Sequence, residues 1–485
     1  MIRFVSLSVL FIALASSACQ SGSTPETQKE SPPNIIYILA DDLGYGDLGC
    51  YGQVNFTTPH LDQLASEGIR FTRHYSGSTV CAPSRSVLMT GLHTGHTPVR
   101  GNQEVKPEGQ WPLADSVLTL AELMKEAGYV TGAFGKWGLG FPGSEGDPVH
   151  QGFDLFFGYN CQRYAHRYYP EYLWENKEKV FLPGNDWSTT ETYAPDLIQE
   201  KTLEFIRMHK DTSFFAFVPI VIPHAELIVP DDEVYQKYLG MYPEEPYKGR
   251  PGADYGPDMV IGMYCSQKNP HATFAAMVSH IDKYVGEIVQ VLEELGIAEN
   301  TLIMFTSDNG PHEEGGADPE FFNSGGGLRG VKRDLYEGGV RVPMIASWPG
   351  TIEKGRVSDH VSAFWDVLPT LSDLTGFEPQ QSDGISFLPE LLGEDQATHE
   401  FLYWEFHERG GKQAILSGPW KAIRLGVGKD PDGPLELYNL ESDPYEKNNV
   451  ADVHPELLEK FARMMKEERV PSSKFNFGMP TYSGE

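Results

Sequence analysis

Two uninterrupted apolar runs, each ending in acidic and amide side chains, constrain this chain more than any other feature. Asn34-Ile-Ile-Tyr-Ile-Leu-Ala40 runs into Asp41-Asp42 and a glycine-rich turn, and Thr301-Leu-Ile-Met-Phe-Thr-Ser307 runs into Asp308-Asn309. A strand with one wet face alternates polar and apolar residues; a run without alternation fits a strand covered on both faces, as in a parallel sheet. The stretch 214–218 has the same character. Between 218 and 301, Met277, Ile281, Val285, Ile288, Leu292 and Leu295 recur at spacings of three and four. That spacing predicts a helix over 272–295, stopped by Gly296. A shorter helix is predicted over 118–127 and a strand over 129–134. Strands alternating with helices give an α/β fold around a large, mostly parallel sheet sandwiched by helices.

Beyond about residue 395 the texture changes. Short strand-like runs at 400–405, 412–416, 420–425 and 435–439 are separated by glycine and proline turns, and a helical pattern covers 455–467. These predict a C-terminal subdomain over 396–485 with a small antiparallel sheet, leaving 33–395 to the larger domain.

Residues 1–19 read as an export signal. Arg3 is the basic start, the apolar run 4–14 is too short to span a bilayer, and small residues precede Cys19 as at a bacterial lipoprotein cleavage site. The usual leucine three residues before the cysteine is missing, which leaves lipidation of Cys19 open. The polar stretch 20–32 would be a flexible tether. The chain is therefore expected outside the cytoplasm, periplasmic or on the outer surface, with membrane attachment only through a lipid on Cys19. Of five cysteines, Cys50, Cys161 and Cys265 remain once Cys19 and Cys81 are set aside, and an odd remainder makes no disulfide framework.

The net charge of -30 excludes a nucleic-acid binder, which needs a basic surface. It does not exclude an anionic substrate, because charges beyond about 8 Å are screened and a local basic pocket can dominate. Ligands of open α/β sheets collect outside the carboxyl ends of the strands. Asp41, Asp42, Asp308 and Asn309 all fall at such ends, and their carboxylates would repel one another without a cation. An all-oxygen set suits calcium or magnesium.

A further segment carries more specific information: Cys81-Ala82-Pro83-Ser84-Arg85, continuing through Ser86-Val87-Leu88-Met89 to Thr90-Gly91. It resembles the signature of the sulfatase family, C-x-P-S-R leading into a helix that closes with T-G. Asp41-Asp42-Leu43-Gly44-Tyr45-Gly46 resembles the first metal motif of that family and Ser307-Asp308-Asn309-Gly310 the second. Gly135-Lys136-Trp137, Pro223-His224, Gly330-Val331-Lys332 and 337–343 resemble its intervening and late motifs, in family order.

The resemblance implies a formylglycine-dependent sulfatase of the alkaline-phosphatase-like superfamily. In that family the motif cysteine, here Cys81, is oxidised by a maturation enzyme to formylglycine, whose hydrate attacks sulfur. Calcium would be held by Asp41, Asp42, Asp308 and Asn309, with the oxidised Cys81 side chain turned to it. Arg85, Lys136 and Lys332 would carry positive charge to the sulfate, and His224 would protonate the leaving alcohol. The family commonly continues its lysine motif as G-K-W-H; here Gly138 stands in place of the histidine. His312 is the expected replacement, with His93 and His96 as alternatives.

A sulfated glycan is the expected substrate. Arg163, His166 and Arg167 among the tyrosines of 160–172, and Trp404-Glu405-Phe406-His407 from the smaller sheet, are the expected sugar contacts. Two rivals remain: a phosphonate or phosphodiester hydrolase of the same superfamily, and a glycan-binding surface lipoprotein with a decayed site.

Overall fold

The computed structural model describes residues 32–377 and 381–477. The predicted export signal, Cys19 and all but the last residue of the predicted tether lie outside them. In chain order the strands are β1 (Asn34–Asp41), β2 (Ile69–Tyr75), β3 (Val130–Lys136), β4 (Leu155–Tyr159), β5 (Tyr172–Glu175), β6 (Glu178–Phe181), β7 (Phe214–Pro223), β8 (Thr301–Ser307), β9 (Arg341–Ser347), β10 (Arg356–Ser358) and β11 (Ser362–Ala363). Four more follow: β12 (Leu402–Phe406), β13 (Lys412–Ser417), β14 (Trp420–Leu425) and β15 (Leu435–Asn439).

The large sheet runs β10-β2-β9-β8-β1-β7-β3-β4-β5-β6, with β11 also on β2. Its centre is parallel: β1 lies between β7 and β8, and β3 joins β7 to β4. Antiparallel strands enter where β9 separates β2 from β8 and at the β5–β6 edge.

Burial of β1 on both faces follows from its sequence. Ile35, Tyr37 and Leu39 enter one apolar cluster, and Ile36, Ile38 and Ala40 enter the cluster on the other side. The helix Pro270–Leu295 covers the second face with Met277, Ile281, Val285, Ile288 and Leu292. Pro270 opens it, where the missing N–H costs nothing, and Gly296 closes it at φ 69. Each such side chain contributes about 1.5–3 kcal/mol of burial.

The smaller sheet, β12-β13-β14-β15, is antiparallel throughout. Along β12, Tyr403 packs with Phe461 and Met465 of the helix Pro455–Glu467, while Leu402, Trp404 and Phe406 face the other way. They join the cluster that contains Tyr75 and Trp365, so the two sheets share apolar packing.

Candidate active site

The carboxyl ends of β1, β3, β7 and β8 meet at one buried cluster. Asp41 ends β1, and the next residue, Asp42, takes φ 67. Consecutive side chains of an extended strand face opposite ways; the left-handed turn at Asp42 brings both carboxylates to one place. Asp308 follows β8, where its N–H donates to the Ala40 carbonyl, and the Asp42 N–H donates to Asp308 Oδ1 at 3.1 Å. Gly135 lets β3 approach closely: a Cβ there would lie 2.0 Å from the Pro219 carbonyl oxygen. Lys136, the next residue, thereby reaches Asp41.

The helix Cys81–Thr90 begins against this cluster, with Pro83 in its first turn, where no N–H is needed. Cys81 and Arg85 are four residues apart and share a helix face. The Cys81 thiol donates to Asp41 Oδ1 at 3.3 Å. Arg85 donates Nε and Nη2 to Asp308 Oδ2 at 3.1 and 2.8 Å, and Nη1 to the Lys136 carbonyl. Each carboxylate thus has a cation: Asp41 has Lys136 at 2.6 Å, Asp42 has Lys332 at 2.6 Å and Asp308 has Arg85. Lys332 also donates to His224 Nε2 at 2.8 Å, and the opposite ring nitrogen, Nδ1, meets the Ala225 carbonyl.

Electrostatics follow from this packing. Burial alone would raise Asp41, but Lys136, His224, Arg85 and Lys332 hold it well below the usual carboxylate range. Burial and the Asp41 charge push Asp308 up to about 7, against Arg85. Burial and Asp41 keep the Cys81 thiol protonated, so unmodified Cys81 is no thiolate nucleophile. Burial and the Lys332 charge hold His224 well below its ordinary value.

The donor set fits a hard cation. Ligand atoms of Asp41, Asp42, Asp308 and Cys81 all lie within 4.8 Å of one another. Asn309 Nδ2 donates to Asp42 Oδ1 and the Gly310 carbonyl, while its buried Oδ1 has no partner. A buried amide oxygen left over among carboxylates is an acceptor that suits a hard cation.

The structure sorts the remaining sequence expectations. His166 reaches the cluster, its ring stacked on His224 at 4.3 Å and 9°. His312 also stacks on His224, at 5.4 Å, but both its ring nitrogens are engaged: Nε2 with the Pro223 carbonyl and Nδ1 with the Glu314 N–H. At Gly138, φ is 77 and the Gln162 side chain fills the space beside it. His93 and His96 stack on each other and bond Asp383. Arg163 pairs with Glu104 at 2.6 Å rather than with the cluster.

Arg167, Trp404, Glu405 and Phe406 need correcting as sugar contacts. Arg167 is wholly buried and paired with Glu226 at 2.7 Å. Trp404 and Phe406 are core residues, and Glu405 is held by Arg100 and Arg469. His407 bonds Glu405 at 2.8 Å and stacks on Phe477, lining a hollow with Asn102 and Lys474. Strand alternation in β12 would have found the first two. Tyr264, 5.5 Å from the His166 ring centre, carries no local mark in the sequence because it lies in an irregular stretch.

Comparison with known proteins gives the family. The sulfatase family model matches residues 33–377, and the model for the C-terminal region of N-sulphoglucosamine sulphohydrolase matches 330–471. The N-acetylgalactosamine-6-O-sulfatase of Bacteroides thetaiotaomicron is 29% identical, over 94% of this chain and 96% of its own. Homo sapiens arylsulfatase A is 33% identical, over 88% of this chain and 86% of its own. The crystal structure of Ps i-CgsB in complex with k-i-k-neocarrahexaose superposes with a TM-score of 0.73 at 26% identity, covering 94% of this chain and 95% of that one. Motifs, sheet order and full-length similarity converge: this chain belongs to the sulfatase family of sulfuric ester hydrolases, on an alkaline-phosphatase-like fold.

Proposed function

We propose that this protein removes sulfate from a sulfated glycan, using formylglycine made from Cys81 by a maturation enzyme and a calcium ion at Asp41, Asp42, Asp308 and Asn309. The observation that carries the reading is the placement of Cys81 Sγ 3.3 Å from Asp41 within a ring of Arg85, Lys136 and Lys332. Bound there, calcium would offset the charge of an approaching anion, and the hydrated aldehyde would supply a hydroxyl nucleophile.

The chain's own side chains do the rest. Arg85, Lys136 and Lys332, all buried, set three fixed positive charges around the sulfate oxygens, and buried charges act strongly. His224 and Lys332, joined by their 2.8 Å hydrogen bond, hold the proton for the departing alkoxide. With both nitrogens engaged, His312 supports the His224 ring rather than standing in for the family histidine that Gly138 replaces. The relatives named as an N-acetylgalactosamine-6-O-sulfatase and for a neocarrahexaose complex support a glycan substrate, and His166, stacked on His224, is the proposed sugar contact nearest the cluster. Among the described residues no helix is long and apolar enough to cross a membrane. We place the enzyme outside the cytoplasm on its N-terminal sequence.

The test is the intact mass of the tryptic peptide bearing position 81, together with sulfate release from a panel of sulfated oligosaccharides and matched phosphate esters. A thiol-to-aldehyde mass change and faster release from the sulfates are expected. Faster turnover of the phosphate esters would give the site to the phosphohydrolase branch.

A further inference from the structure

Near the cluster lies a second, fully buried charge pair that touches neither the carboxylates nor the thiol. Arg167 and Glu226 are both wholly inaccessible, and Arg167 Nη1 donates to Glu226 Oε2 at 2.7 Å. Glu226 Oε1 accepts from the Tyr168 N–H at 3.1 Å and from the Tyr255 hydroxyl. Arg167 Nη2 donates to the carbonyls of Ala253 and Val260, at 2.8 and 3.1 Å.

The neighbours of this pair give it meaning. Arg167 follows His166, and Glu226 is two residues after His224, whose ring lies against that of His166 at 4.3 Å and 9°. The Tyr168 hydroxyl donates to the His224 carbonyl. The loop held through Ala253 and Val260 continues to Tyr264, whose ring edges both imidazoles at 5.5 and 6.1 Å. One ion pair therefore joins the three segments that carry His166, His224 and Tyr264. Taking two charges wholly out of water is expensive, and an apolar pair of similar volume often serves stability as well. The pair therefore calls for an explanation in geometry rather than stability.

We propose that Arg167 and Glu226 are positioning residues for proton delivery to the leaving alkoxide, acting through the fixed placement of His224 against His166. The proposal rests on the reading of His224 as part of the proton donor. A leaving group that is a weak base departs without a proton, whereas a strongly basic one needs it. Misplacing His224 must therefore show as a dependence on the leaving group, which simple loss of stability does not produce.

The experiment compares phenyl sulfate with 4-nitrophenyl sulfate on the mature, calcium-loaded enzyme. The paired variant Arg167→Met/Glu226→Leu removes both charges together, leaving neither stranded, and Glu226→Gln serves as the second variant should the pair fail to fold. For either variant, kcat on phenyl sulfate is expected to fall roughly ten- to a hundredfold further than kcat on 4-nitrophenyl sulfate, with KM unchanged. Equal losses on the two esters, or no loss, overturn the proposal. His224→Ala separates the two readings: if it discriminates between the esters and the Arg167/Glu226 variants do not, only the positioning role falls. If His224→Ala does not discriminate, the role of His224 falls and this proposal with it.

Discussion

Cys81 and Asp41, forty residues apart in sequence, meet with thiol and carboxylate 3.3 Å apart at the start of a helix and the end of a strand. The other oxygen of the same carboxylate takes the Lys136 ammonium at 2.6 Å. Replacing Cys81 should therefore remove chemistry without loosening the cluster, because Asp41 keeps its cation. Cys81→Ala is expected to lower sulfate release by on the order of 10⁴-fold or more, with an unchanged far-ultraviolet dichroism spectrum. Activity near wild type would show that the nucleophile lies elsewhere.

Calcium removal should act on stability as well as turnover. Three carboxylates and the unpaired Asn309 oxygen would gain a shared partner on binding the proposed ion, and an ion at a hundred times its dissociation constant stabilises by about 2.7 kcal/mol. Exhaustive chelation should lower the melting temperature by several degrees and abolish turnover, both recovering on adding calcium. Asn309→Ala should weaken calcium binding measured by titration calorimetry. An unchanged calcium affinity in that variant would remove Asn309 from the ligand set.

Glu405 offers a pH test away from the cluster. Burial would raise its carboxyl, but the His407 hydrogen bond, Arg100 and Arg469 hold it well below the usual carboxylate range. A folded value below the unfolded one, about 4.3 for glutamate, gives stability that is present above that value and lost as pH falls toward the folded one. Breaking such a buried network costs about 3–5 kcal/mol. Glu405→Gln should thus melt well below wild type at neutral pH, with the gap narrowing as pH drops below about 4. A gap independent of pH would mean that the charge on Glu405 contributes nothing.

The covering helix gives a packing test. Ile281 is fully buried against the sheet, and Ile281→Ala should cost about 2–5 kcal/mol in chemical denaturation. Because Ile281 packs in an apolar cluster and none of the contacts of the charged cluster involves it, KM and kcat of the folded fraction should not change.

Legibility in the sequence tracked how local each signal was. The runs 34–40 and 301–307 carried enough uninterrupted apolar character to reveal buried strands, and 420–425 and 435–439 were bounded by turns that fix their ends. The antiparallel insertion of β9 between β2 and β8 was not legible, since pairing partners carry no local mark. The acidic strand ends and the Cys81–Arg85 helix face could be read because period and motif coincide. The Arg167–Glu226 pair could not: an arginine among tyrosines looks like a surface contact until the fold brings a buried carboxylate to it across 59 residues.

The hydrogen bond from Asp42 to Asp308 spans 266 residues of chain, and β1 cannot gain β8 as its neighbour until that later strand has been made. Protein synthesis therefore produces the thiol-bearing helix long before it produces the wall that encloses it. A chain halted anywhere short of Ser307 would lack half of the acidic cluster and the middle of its sheet together. No translation product that ends before Asp308 can carry the whole acidic cluster, and pairing over such distances makes acquisition of the native state slow.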